Sequence, residues 1–183
     1  MKRLASLILL LLPAVGSAQD MPLFTIAKSG EAWKPGTGER PKTPSPREAI
    51  SPDGSVRFSG VKLDSFLHAY SVGESTVLPP GGRYAPLRIE QAYDNSRQAQ
   101  DKRKKDPPKI EVHSVMVDSA GRIYAGTKLG IQVFDPTGRL CGVLALPMSG
   151  QPEHLGWEGG AKDRLVVWIG DKKFTRAMHA TGK

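Results

Sequence analysis

One punctuation recurs along this chain and limits what it can fold into. Ser51-Pro52-Asp53-Gly54 precedes Val56-Arg57-Phe58, Asp118-Ser119-Ala120-Gly121 precedes Arg122-Ile123-Tyr124-Ala125, and Asp135-Pro136-Thr137-Gly138 precedes Leu140. Each reads as a tight turn in which Asp bonds its own backbone and Gly takes a positive φ. Between the turns lie short runs rich in β-branched and aromatic residues, the signature of strands joined as hairpins. Sustained helical period is almost absent. Gln91 to Lys105 could turn once or twice as a helix, but few apolar residues would anchor it.

The spacing of the turns gives the architecture. Asp118 and the next matching residue, Asp163, stand 45 residues apart, and propeller blades repeat at roughly 40–50 residues. Asp53 precedes Asp118 by 65 residues, one period plus an insertion. The expected fold is therefore all-β: a partial β-propeller of about three four-stranded blades near 46–89, 110–147 and 152–180, with a basic loop inserted at 90–109. The segment 19–45 reads as an irregular linker rich in Gly and Pro, with one candidate strand at Leu23–Ile26. The third blade lacks a fourth strand in this reading, and closed propellers usually have four to eight blades. Open sheet edges invite pairing, so Leu23–Ile26 is expected to complete the last blade in this chain or in a second copy, and a homodimer would complete a ring.

The first residues read as a processing signal. Lys2 and Arg3 precede an apolar run from Leu4 to Val15, and Gly16-Ser17-Ala18 offers small residues to a signal peptidase. That run is 12 residues, against roughly 20 for a membrane span. The expectation is a signal peptide over 1–18, a periplasmic or secreted product of about 165 residues in one domain, and no membrane association after cleavage. Cys141 is the sole cysteine, so no internal disulfide forms and packing must stabilise the fold. The formal charge is +8, and its excess is concentrated in Lys102-Arg103-Lys104-Lys105. That run is a weak candidate for polyanion contact. No aromatic residue interleaves with it, which argues against nucleic-acid binding by base stacking.

The stretch Val117-Asp118-Ser119-Ala120-Gly121-Arg122-Ile123-Tyr124-Ala125-Gly126-Thr127-Lys128-Leu129-Gly130-Ile131-Gln132-Val133-Phe134-Asp135-Pro136-Thr137-Gly138-Arg139 resembles the senescence marker protein/gluconolactonase/luciferin-regenerating enzyme family. Ile50-Ser51-Pro52-Asp53-Gly54 and Ser65-Phe66-Leu67-His68-Ala69-Tyr70 look like a further blade of it. The resemblance runs from about Pro46 to Lys183 and covers the C-terminal half of a usual member. It implies a six-bladed propeller that hydrolyses a sugar lactone with a divalent metal, often calcium, in its central channel. Family members hold that metal with an acid from the first blade, an Asn before an S-P-D-G turn and an Asp before a V-D-x-x-G turn. In this chain His113 stands at the position of the Asp, Ser114 at the Gly after it, and Pro46 at the position of the Asn. The first-blade acid has no counterpart, and His154 replaces a channel-lining Asn of the last blade.

The candidate catalytic residues are therefore His113 and Glu111, and the candidate metal ligands are His113, Glu111, His154 and Glu153. Residues i and i+2 of a strand share a face, which would aim Glu111 and His113 into the channel together, and a His/Glu set suits a softer metal such as zinc, where the resemblance implies calcium. Ser114 would face away from His113, His68 reads as structural, and Trp157 and Trp168 read as packing between blades. Two functions follow: an exported lactonase-like hydrolase acting on a small sugar lactone or cyclic ester, or a propeller-derived binding or interaction module without catalysis.

Overall fold

A computed structural model describes residues 22–43, 46–60, 64–73, 82–89 and 110–183. The expected signal at 1–18, the turn of helix at Gln91–Lys105 and the run Lys102–Lys105 lie outside them. The described residues form twelve strands in three four-stranded antiparallel sheets, the blades of a partial propeller. The first blade is β2 (Glu48–Ile50), β3 (Val56–Gly60), β4 (Phe66–Ser71) and β5 (Arg83–Pro86). The second is β6 (Val112–Val117), β7 (Ile123–Thr127), β8 (Gly130–Phe134) and β9 (Leu140–Leu144). The third is β10 (Pro152–Glu158), β11 (Arg164–Ile169) and β12 (Lys172–Ala177), with β1 (Lys34–Pro35) as its fourth strand. No described helix is long and apolar enough to cross a membrane.

The last blade is thus completed from within the chain, but not by the segment expected. Leu23–Thr25 is a 3-10 turn, in which the Leu23 carbonyl accepts from the N–H groups of Ile26 and Ala27. Once that carbonyl is spent locally, Leu23–Ile26 cannot offer a continuous ladder. Ala27 makes only an isolated bridge to Met178, while Lys34 and Pro35 pair with Thr175 and Phe174.

The repeated turns work as their composition dictates. Asp118 Oδ1 accepts from the N–H groups of Ala120 (2.9 Å) and Arg122 (3.0 Å), and Asp135 Oδ1 accepts from those of Thr137 (2.8 Å) and Arg139 (3.0 Å). Gly121 and Gly138 close the two turns with φ of 81° and 85°, where a Cβ would be strained. In the first blade Ser51, not Asp53, takes the Asp118 role: its carbonyl accepts from Gly54 N–H and its hydroxyl from Val56 N–H. In the third blade the left-handed residue is Lys162, bonded to the Gly159 carbonyl. The matching residue there is Gly159 rather than Asp163. Along the inner strands the bulged residues His113 and Glu153 stand 40 residues apart, so the blade period there is 40 rather than 45.

Strand alternation divides the core into two layers. Phe58, Leu67, Ala69 and Ala85 of the first blade meet Val112, Val115, Val117 and Ile123 of the second. Tyr124, Ile131, Val133 and Leu144 on its other side meet Leu155, Leu165, Val167 and Ile169 of the third, with Ile26 and Met178 sealing the edge. Each buried aliphatic side chain contributes about 1.5–3 kcal/mol. Two glycines set how closely blades approach: a Cβ at Gly60 would lie 2.6 Å from the Val112 side chain, and one at Gly126 would run into Ser114 Oγ and Pro152.

Candidate functional site

The inner strands β6 and β10 begin side by side at one end of the molecule. Both carry a β-bulge there: the register slips between Val112 and Ser114 in β6 and between Pro152 and His154 in β10. A bulge breaks alternation and re-aims a side chain. Simple i, i+2 reasoning from Glu111 to His113 therefore does not hold across this point, although the Glu111 charge still acts on the His113 ring. Beyond the bulge, Ser114 turns to the third blade and donates to the Pro152 carbonyl at 2.7 Å, which ties the two inner strands together. That hydroxyl is engaged, so Ser114 is no nucleophile.

The bulged residues mark equivalent places on neighbouring blades, so His113 matches Glu153, whereas His154 matches Ser114 and, paired with Trp168, lies on the outer face of the third blade. His113 is 8% exposed. Its Nε2 and the Nδ1 of His154 are buried without a hydrogen-bond partner. Burial holds the His113 ring below the usual histidine range; Arg47 and Lys128 add to the shift, while Glu111 and Glu153 oppose it. Burial, aided by Arg40, lowers His154 as well. At neutral pH both rings are uncharged, and each holds a buried nitrogen without a hydrogen-bond partner.

The two candidate carboxylates are already occupied. Glu111 accepts from Arg47 at 3.0 Å, and Glu153 accepts from Arg40, which also reaches Asp171 at 3.6 Å. Both arginines come from the chain that links β1 to β2; Arg40 lies in the segment expected to be plain linker and Arg47 at the start of the expected first blade, and sequence reasoning gave neither a role. Pro46, at the third equivalent inner-strand position, offers only its carbonyl, which accepts from Val115 N–H at 3.2 Å. Among the described residues, no three His, Cys, Asp or Glu side chains gather closely enough to hold a metal ion.

The remaining sequence candidates have structural tasks. His68 Nε2 lies 2.7 Å from Asp64. Trp157 packs edge-on against Tyr124, with centroids 5.6 Å apart, between the second and third blades. Trp168 lies on the opposite, outer face of the third blade, paired with His154 and Lys173. Cys141 is partly buried against the core, and burial raises its thiol, so it is no ready nucleophile. At the other end of the inner strands a cleft of about 370 Å³ opens between Ser51, Asp53, Phe58, Tyr84, Ser119 and Pro136. Its carboxylate is spent on its own turn: Asp53 accepts from Ser51, Ser55 Oγ and Ser55 N–H, which draw it down to about 2.

No family model and no curated protein matches the sequence. Solved structures do match the fold. A gluconolactonase of Xanthomonas campestris superposes with a TM-score of 0.53 at 16% identity, covering 74% of this chain and 37% of that one. Regucalcin of Agrobacterium tumefaciens C58, described as a calcium-binding protein, gives a TM-score of 0.52 at 15% identity, covering 76% of this chain and 47% of that one. The chain spans less than half the length of either. Over the part it spans, it has the propeller fold that the gluconolactonase and regucalcin structures share.

Proposed function

We propose that this chain is an exported, gluconolactonase-like propeller module that takes up a small polar solute at the end of its inner strands around His113 without hydrolysing it. One observation carries the reading: the two candidate carboxylates are each neutralised by an arginine of the same chain. A hard cation such as calcium needs several oxygens converging on one point. Here Glu111 and Glu153 are spent on Arg47 and Arg40, the Pro46 carbonyl is spent on Val115, and the remaining channel position is His113. The residues present do not fit the divalent ion that the fold family implies, and no hydrolytic step is derived through one. What they do offer is a neutral His113 imidazole with an unpartnered Nε2, under the positive charge of Arg47 and Lys128, an end suited to a sugar or sugar acid.

Calorimetric titration with gluconate and gluconolactone, alongside a lactone-hydrolysis assay with Ca²⁺, Mn²⁺ or Zn²⁺, tests this. The expected result is binding that weakens in His113→Ala and no turnover above the uncatalysed rate with any metal. A second reading, the lactonase-like hydrolase, draws on the unpartnered Nε2 of His113, which could accept a proton from water or ligate zinc. Metal-dependent turnover that falls in His113→Ala would establish it and overturn the first.

A further inference from the structure

The cleft at the end of the inner strands opposite His113 differs in charge from the chain as a whole. It opens between the turns of the first two blades, with a volume of about 370 Å³, a size that suits a small molecule. Phe58 and Tyr84 form its floor, their rings 5.3 Å apart and tilted by 46°. Pro52 and Pro136 wall it, and a Cβ on Gly121 would touch both prolines at 3.6–3.8 Å, so the two walls meet there. The chain carries 26 Lys and Arg against 18 Asp and Glu. Among the described residues that line this cleft, however, the sole charged side chain is that of Asp53. The hydrogen bonds that tie Asp53 to its own turn hold the carboxyl ionised, so its negative charge stays at the exposed rim.

The uncharged groups point to the same kind of ligand. Ser51 and Ser55 each spend their hydroxyl proton on Asp53, and Tyr84 spends its own on the Pro136 carbonyl. What these three hydroxyls leave to a solute is lone pairs, not donors. A sugar needs donors as well as acceptors, and an anion would meet lone pairs and a carboxylate. A group that only donates fits. One is already bonded at the rim: Lys183 Nζ donates to the Ser51 carbonyl at 3.2 Å. That carbonyl also accepts from Gly54 N–H, so both its lone pairs are engaged and an incoming ammonium must displace that of Lys183.

We propose that this cleft binds a small organic cation, with an apolar body between Pro52, Pro136 and the Phe58–Tyr84 pair and an ammonium that replaces Lys183 Nζ at the Ser51 carbonyl beside Asp53. The site does not rest on the binding proposed at His113.

The experiment is proton–nitrogen correlation NMR on the full chain, titrated with benzylamine, benzyl alcohol and benzoate, three probes of similar shape and different charge. Benzylamine is expected to shift the amide signals of Ser55, Ala120 and Gly121 saturably and to leave those of Val167 and Ile169 in the third blade in place. Its Kd should be roughly millimolar, as suits a ligand of about eight heavy atoms at an exposed cleft. Benzyl alcohol should bind several-fold more weakly, and benzoate not at all. Asp53→Asn should bring benzylamine down to the level of benzyl alcohol. Lys183→Met, which removes the competing ammonium, should tighten benzylamine several-fold and leave benzyl alcohol unchanged. Equal affinity for benzylamine and benzyl alcohol, a saturable shift with benzoate, or no saturable shift with benzylamine overturns the proposal. If Asp53→Asn moves the signals of residues 51–56 before any probe is added, its turn has rearranged and Lys183→Met decides: unchanged benzylamine affinity sinks the site. Failure of gluconate to bind would sink the function proposed above and leave these shifts untouched.

Discussion

The two ends of the three-blade stack solve the same problem in opposite ways. At the third-blade end, the outer face of β10–β12 carries Val166 and Trp168, only 6% and 4% exposed. The segment after β1 lies against that face, where a Cβ on Gly36 would meet the Lys173 and Thr175 side chains at about 3 Å. At the first-blade end, the outer face of β2–β5 presents Glu48, Arg57, Ser59, His68, Tyr70 and Arg83. Arg57 stacks over Tyr70 at 5.6 Å and Arg83 over Phe66 at 4.9 Å, with Asp64 bridging to His68. A stack of repeats needs an outer surface that water tolerates at each end. Here one end is covered by the chain itself, and the other is made of charges laid on aromatic rings. Ile50, paired with Arg57, is 46% exposed on the first-blade face, but among the described residues neither end otherwise offers the bare apolar face that the second blade shows to both of its neighbours, so a ring closed by two copies would press charged side chains against a face already covered by the chain. Light scattering on the purified chain is expected to show a monomer.

The contrast breaks most sharply at Trp168. Trp168→Ala should cost about 3–5 kcal/mol, the usual loss for a large buried aromatic, because the ring is only 4% exposed. Tyr70→Ala, at the matching end of the stack, should cost about 1 kcal/mol or less, since its ring is only partly buried and its cation–π partner returns to water. Urea unfolding of the two variants measures both. Equal losses would mean that the ends are built alike.

The next effect concerns how blades meet rather than how the stack ends. Gly60→Ala would push a methyl against Val112 at the first seam and is expected to cost about 1–3 kcal/mol. Gly126→Ala at the second seam should cost more within that range. The atoms it meets include the Pro152 backbone, and its Cβ would break the Ser114–Pro152 hydrogen bond. Thermal melts of the two variants, with Gly156→Ala as a reference whose Cβ meets nothing within 4 Å, would order them.

How much of this could be read from the chain depends on how local each signal is. The strands were legible because turn and strand chemistry lie within a few residues of each other, as in Asp118–Arg122. The period was misread as 45 because Asp163 looked like Asp118, whereas geometry assigns that role to Gly159 and lets Lys162 adopt the left-handed conformation. The fourth strand of the last blade was misplaced because Lys34–Pro35 has no strand composition; it pairs only because β12 has a free edge for it. His113, Glu111, His154 and Glu153 were named as candidates from their place in the blade pattern. Arg40 and Arg47 were not, because contacts across 113 and 64 residues leave no trace in local sequence. The bulges at His113 and Glu153 were hidden for the same reason.

Acid should separate the two halves of the molecule, more gently than the core substitutions do. His113 and His154 titrate below their unfolded value, so the unfolded chain binds protons first. Their contribution to stability is full above about pH 6.5 and falls as pH drops below that value. Glu111 and Glu153 soften the loss at His113, and Arg47, Lys128 and Arg40 deepen it at the two rings. In the first blade, burial raises Asp64, but hydrogen bonds from His68 and Ser65 and the charge of Arg83 outweigh it and hold it low. Asp53 is held at about 2. These carboxylates stabilise above their unfolded value near 4, and that contribution disappears as pH falls from about 4 toward 2. Urea midpoints measured from pH 8 to pH 3 should therefore decline in two stages. His113→Gln/His154→Gln is expected to flatten the stage between pH 7 and 5, and Asp64→Asn the stage below pH 4. A single stage below pH 4 in the native protein would show that the rings of His113 and His154 are solvated rather than buried.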